Sequence, residues 1–135
     1  MKTLSPIDEG SYLIDAARAQ LAKAYAPYSD FPVACALEAE DGTIVTGVNV
    51  ENGSYGLTIC AERCAVFAGV AAGHRRFKAA AVVAKKGPGI TPCGACRQVL
   101  SEFMDPAAPV FYPDDSGVRR TTIAQLLPDA FSRPT

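Results

Sequence analysis

Three cysteines and one carboxylate stand where a metal enzyme needs them. Cys60 and Glu62 lie in T-I-C-A-E-R-C, and Cys93 and Cys96 in T-P-C-G-A-C-R-Q. A C-x-x-C pair lets two thiolates reach one ion across a single turn, and zinc accepts sulfur ligands in a tetrahedron. Cys60 is distant in sequence, so the fold must return it. Three protein ligands leave one corner open, which separates a catalytic zinc site from a closed structural one, and water at such a corner has its pKa lowered to about 7. Glu62 is not needed as a ligand and is free to shuttle protons beside that water. Taken alone, it also reads as an acid stabilising a helix start. Three thiolates on one Zn2+ leave a net negative charge, which Arg63, Arg97 or Gln98 is placed in sequence to offset.

Those side chains need two helix starts. Thr58 reads as an N-cap, with an Ala-rich helix running to Ala72 and Gly73 ending it. Pro92 delivers Cys93, and G-A-C-R-Q-V-L-S-E-F continues at helical spacing. Unpaired N–H groups at helix starts favour thiolates. Upstream, Ser5 and Pro6 read as N-cap and first residue of a helix carrying Leu13, Ile14, Ala17, Leu21 and Ala24 on one face and stopped by Pro27. Strands are expected at 33–38 and 43–50 around the Asp41-Gly42 turn. Further strands are expected at 78–84, 109–112 and 118–120, with a short helix at 122–127 ended by Pro128. The alternation of elements predicts an α/β fold, a three-layer α-β-α sandwich with a mixed central sheet.

Bulk properties narrow the function classes. A chain of 135 residues is expected to form one domain, 1–135, with a core of its own. Net charge is -1, which argues against a nucleic-acid partner. The one cationic cluster, His74, Arg75, Arg76 and Lys78, reads as a solvated loop. No apolar run is long enough to span a membrane. Five cysteines, three of them assigned to metal, with no leader-like opening predict a cytoplasmic protein with reduced thiols.

C-A-E and P-C-G-A-C together resemble the zinc-dependent cytidine deaminases, a pattern generally associated with zinc deaminase chemistry. A-Y-A-P-Y-S-D-F-P-V, N-V-E-N-G-S-Y-G and L-L-P-D-A-F extend the resemblance over nearly the whole chain, in the order and spacing of the small homotetrameric branch. It implies one zinc per subunit and hydrolytic deamination of cytidine or 2′-deoxycytidine, as in pyrimidine salvage. Glu62 would pass protons from water to ring N3 and the departing ammonia. Asn49 and Glu51 would hold the sugar hydroxyls, although alone they read as a turn residue and a solvated acid. Phe31 would pack on the pyrimidine and the backbone around Ala61 and Cys93 would read the base edge. Phe131 would reach a neighbouring subunit's pocket and Tyr55 would lie near the subunit boundary. The helix after Thr58, apolar on more than one face, suits burial either between subunits or in an ordinary core.

Two alternatives stay open at this level. Family members carry Gly where this chain has Ala34, followed by Cys35, and a methyl near the pocket suits a modified cytidine or a cytosine-nucleoside antibiotic of the blasticidin S kind. Cys64, one helical turn after Cys60, offers a fourth sulfur. Cys60, Cys64, Cys93 and Cys96 would then close a structural site in a binding module.

Overall fold

The computed structural model describes residues 9–87 and 89–134. Its elements are α1 (Ser11–Arg18), β1 (Val33–Ala39), β2 (Ile44–Val48), α2 (Ala61–Ala71), β3 (Phe77–Ala84), α3 (Gly94–Phe103), β4 (Pro109–Asp114), β5 (Gly117–Thr122) and α4 (Ile123–Leu126). Ser5 and Pro6 lie outside the described residues.

One mixed sheet in the order β2-β1-β3-β4-β5 divides the molecule. β1 pairs antiparallel with both β2 and β3, β3 runs parallel to β4, and β4 is antiparallel to β5. The parallel step needs a crossover, and α3 supplies it. Alternation along β1 sorts its residues into two cores. Val33, Cys35, Leu37 and Ala39 pack with Ala65, Val66 and Leu100 of α2 and α3. Ala34 and Ala36 pack with Leu13, Ile14 and Ala17 of α1. Buried on both faces, β3 reads as an almost unbroken apolar run, as central strands do. The expected three-layer architecture is therefore present.

The β1–β2 hairpin turns at Gly42, whose φ of 90° suits glycine, and the Asp41 carboxylate accepts from the Thr43 N–H at 2.9 Å. Farther along β2, Gly47 admits α2 closely. A Cβ there would lie 2.3 Å from the Ala65 nitrogen and 2.6 Å from the Ala61 carbonyl oxygen. This contact sets the depth at which α2 begins, and so the position of Cys60.

Strand ends differ from the sequence expectation by one or two residues, and two helix boundaries differ for a structural reason. α1 stops at Arg18 rather than running to Pro27, and a short 3-10 turn, Leu21–Lys23, follows. The chain must straighten by Tyr25, whose N–H donates to Asn49 O at 3.0 Å and whose carbonyl accepts from Glu51 N at 2.9 Å. That parallel bridge overrides the apolar period. Thr58 does not cap α2. Its hydroxyl accepts from Asn52 N–H at 3.1 Å, and the N-cap is Cys60.

Candidate active site

Both helix starts carry cysteine at the N-cap. Cys60 and Cys93 have extended backbone conformations (φ/ψ −70/156 and −67/170), and neither side chain caps its helix. The sulfurs instead turn toward each other. The Sγ atoms of Cys60, Cys93 and Cys96 all lie within 4.8 Å of one another. Cys60 and Cys93 are 3.8 Å apart, too far for a disulfide, whose S–S bond is about 2 Å. Two thiolates at roughly 2.3 Å from a tetrahedral zinc stand about 3.8 Å apart, so the spacing fits one zinc ion.

Cys64 is outside this cluster, half-buried one turn along α2. Among the described residues the four-sulfur arrangement is not formed, because Cys60 turns back toward α3 from the first residue before the helix while Cys64 is fixed to its barrel. The closed structural site is thus set aside.

Glu62 sits in the first turn of α2, only 4% exposed. Burial pushes its carboxyl above the ordinary value, while its own backbone N–H, Arg63 and Cys96 pull the other way. Burial likewise pushes Cys96 up, with Glu62 adding to it. For Cys93 burial is outweighed by hydrogen bonds from the Cys96 backbone and from the Cys96 and Cys60 side chains, and its thiol is held down.

Of the three candidates to offset the thiolate charge, Arg63 is the one at the sulfurs. Its Nη2 lies 3.6 Å from Cys60 Sγ, and its hydrogen bonds to Cys60 and Cys96 hold it charged. Arg97 turns away. It donates to the carbonyls of Pro92 at 2.6 Å and Leu126 at 2.9 Å and to Thr91 Oγ1 at 3.0 Å, bracing the loop that presents Cys93. The Gln98 amide donates to Phe131 O at 3.2 Å, tying α3 to the C-terminal segment.

A cleft of about 410 Å³ opens beside the thiols, with Cys60, Glu62, Ala61 and Cys93 at its floor and Phe31, Asn49 and Glu51 on its walls. Asn49 and Glu51, both under 10% exposed, are heavily engaged. Asn49 accepts from Val33 N at 2.9 Å and donates to Phe31 O at 3.0 Å. Glu51 accepts from the N–H groups of Tyr28 and Ser29 at 3.0 and 3.1 Å and from the Ser29 hydroxyl. Its carboxyl is held below the usual range, chiefly by that hydroxyl. Ser29 and Thr91, which the sequence reading passed over, also line the cleft. Ser29 lay inside the quoted Y-S-D-F string, but a serine in a polar loop carries no chemical signature of its own.

Tyr55 and Phe131 lie outside that cleft. Tyr55 is 74% exposed and meets Tyr28 edge-on with centroids 5.8 Å apart. Phe131 is 70% exposed and borders a separate hollow of about 350 Å³ between α3, α4 and the C-terminal segment. Ala34 points to the α1 side of the sheet and does not line the cleft, so its methyl leaves the pocket unchanged; Cys35 is a buried core thiol on the other face.

Sulfur ligands at two helix starts, with a buried carboxylate and an open cleft, define the class: a zinc enzyme. The sequence profile of the cytidine and deoxycytidylate deaminase zinc-binding region matches residues 8–112. A cytidine deaminase of Sporosarcina psychrophila is 54% identical over 112 residues, 82% of each chain. The crystal structure of cytidine deaminase from Burkholderia pseudomallei superposes with a TM-score of 0.84 at 51% identity, covering 90% of this chain and 98% of that one. A blasticidin-S deaminase of Bacillus cereus is 26% identical over 143 residues, 98% of this chain and 99% of its own. The chain belongs to the zinc-dependent cytidine deaminase family.

Proposed function

We propose that this chain, acting as a single domain over residues 1–135, hydrolyses cytidine and/or 2′-deoxycytidine to the corresponding uridine and ammonia. The observation that carries this reading is the three-sulfur cluster with Glu62 beside it at the floor of an apolar-walled cleft. Among the described residues lining that cleft there is no Lys or Arg, while Glu51 is an anion on its wall. A 5′-phosphate would meet no counter-charge there, so the substrate is a nucleoside rather than a nucleotide.

Cys60, Cys93 and Cys96 would hold a zinc ion, which would supply Lewis acidity for activating water. Glu62 accepts the proton and delivers it to ring N3 as the water oxygen adds to C4. The carboxylate then takes the proton of the new C4 hydroxyl and passes it to the amino group, so the C4–N bond breaks, ammonia leaves and the C4 carbonyl of uridine remains. The burial of Glu62 suits the work, since a carboxyl raised above its ordinary value returns a proton more readily. Arg63 offsets the surplus thiolate charge. Phe31 supplies a flat apolar surface for the pyrimidine, the backbone near Ala61 reads the base edge, and Asn49 and Glu51 meet the sugar. The reading extends to a cytoplasmic homotetramer serving pyrimidine salvage, with Tyr55 and Phe131 at shared boundaries.

Ultraviolet monitoring of cytidine in the presence of Glu62→Ala tests the assignment. The variant is expected to keep one zinc per chain and lose on the order of 10³-fold or more in kcat. Turnover at the wild-type rate with zinc in place removes Glu62 from the mechanism.

A further inference from the structure

We infer that Ser29 is a positioning residue that sets the enzyme's preference for a hydroxylated sugar; this rests on the reading of the cleft proposed above. The argument is a count of hydrogen-bonding capacity. An ionised carboxylate offers about four lone-pair directions. On Glu51, two at Oε1 are filled by the N–H groups of Tyr28 and Ser29, at 3.0 and 3.1 Å, and one at Oε2 by the Ser29 hydroxyl. Among the described residues no further donor fills the last direction on Oε2, and Glu51 lines the cleft. Asn49 is similarly committed, to Val33 N and Phe31 O, keeping one amide hydrogen and one lone pair.

Ser29 also ties the sugar wall to the base wall. Its single O–H is given to Glu51, and the same oxygen accepts from Phe31 N–H at 3.1 Å. That bond spans Asp30, a non-glycine residue at φ 54°, in the left-handed region that an L side chain enters at a cost. The serine hydroxyl therefore holds a strained turn whose two ends are the partner of Glu51 and the backbone of Phe31. Ser29 is an exposed residue, so its removal forfeits little apolar burial. What its removal changes is the direction in which the last Oε2 lone pair points, and preorganised acceptors bind hydroxyls more tightly than mobile ones.

The test compares cytidine with 2′,3′-dideoxycytidine, which keeps the base and lacks both ring hydroxyls, as substrates of the zinc-loaded enzyme and of Ser29→Ala and Ser29→Thr. Ser29→Ala is expected to lower the ratio of kcat/KM for cytidine over the dideoxynucleoside by about tenfold, the scale of one hydrogen bond to a charged group. Ser29→Thr, which retains the hydroxyl, restores that ratio. A structural defect alone would depress both substrates equally, so equal losses in Ser29→Ala overturn the proposal. A wild type that turns over both substrates equally removes the sugar wall itself, and the proposal with it. A discriminating wild type beside an equally discriminating Ala variant removes only the role of Ser29.

Discussion

Glu51 carries its charge inside the wall of a cleft, and that charge is held by three donors from residues 28 and 29. Its carboxyl lies below the ordinary value in the folded state, chiefly through the Ser29 hydroxyl. A group with a lowered folded pKa contributes stability that is fully present above its unfolded value, about 4.3, and fades as pH falls through the folded value. Glu51→Gln removes that contribution. Urea unfolding at pH 7 and at about pH 3.5 should therefore show the gap between wild type and variant closing at the lower pH. Protonation of the thiols affects both proteins and cancels from the difference. A gap unchanged by pH would show that the carboxylate is not stabilised by these donors. At this scale the sequence was most legible where residue type itself implies chemistry, as for Cys60, Cys93, Cys96 and Glu62. It was least legible where direction decides. Successive helical residues point about 100° apart, so Arg97 and Gln98, next to Cys96 in the chain, turn away from the sulfurs.

The site rests on where α2 begins, and β2 determines that. Gly47 lets the backbone of α2 come against the sheet, and an alanine there would press a methyl into the Ala65 nitrogen and the Ala61 carbonyl, both backbone atoms with little room to give. Gly47→Ala is expected to destabilise the fold by about 1–3 kcal/mol, the usual cost of overpacking. It should also move Cys60, Ala61 and Glu62 together relative to Cys93. Competition with a chromophoric chelator should show weaker zinc retention, and kcat should drop with it; retention equal to wild type would mean that α2 absorbs the methyl elsewhere. Strand and helix order was readable from apolar period and turn residues, since alternation and the Asp41-Gly42 signal are local. The early stop of α1 is set by a partner distant in sequence, while the late start of α2 goes with a contact six residues away. Tyr25 is drawn out straight by Asn49 and Glu51, and Thr58 is engaged by Asn52. The apolar period of α1 carries no sign of the first contact, and residue type alone does not tell whether Thr58 caps a helix or accepts from Asn52.

Taken whole, the molecule exposes several large apolar side chains. Leu57 is 65% exposed and Phe67 on the outer side of α2 is 53% exposed, alongside Tyr55 and Phe131. Tyr55 shares a shallow hollow with Tyr28, Ser29 and Glu51 that runs into the active cleft, so the cleft's outer edge stands open to water in the single chain. Contiguous exposed apolar surface marks an interface, and an active site gains electrostatically when water is excluded. A second copy seated over residues 55–57 would satisfy both conditions. This yields a prediction on mass and activity together. Sedimentation of the zinc-loaded protein should give about four times the 14.2 kDa of one chain. Leu57→Asp places a charge where apolar surface is to be buried, and is expected to shift the protein to smaller species at micromolar concentration. Because Leu57 touches neither the sulfurs nor Glu62, zinc content should stay at one per chain while kcat/KM falls tenfold or more, on the order of one lost contact set at the cleft edge. A variant that sediments as a smaller species yet deaminates cytidine as well as wild type would show that each chain completes its own site.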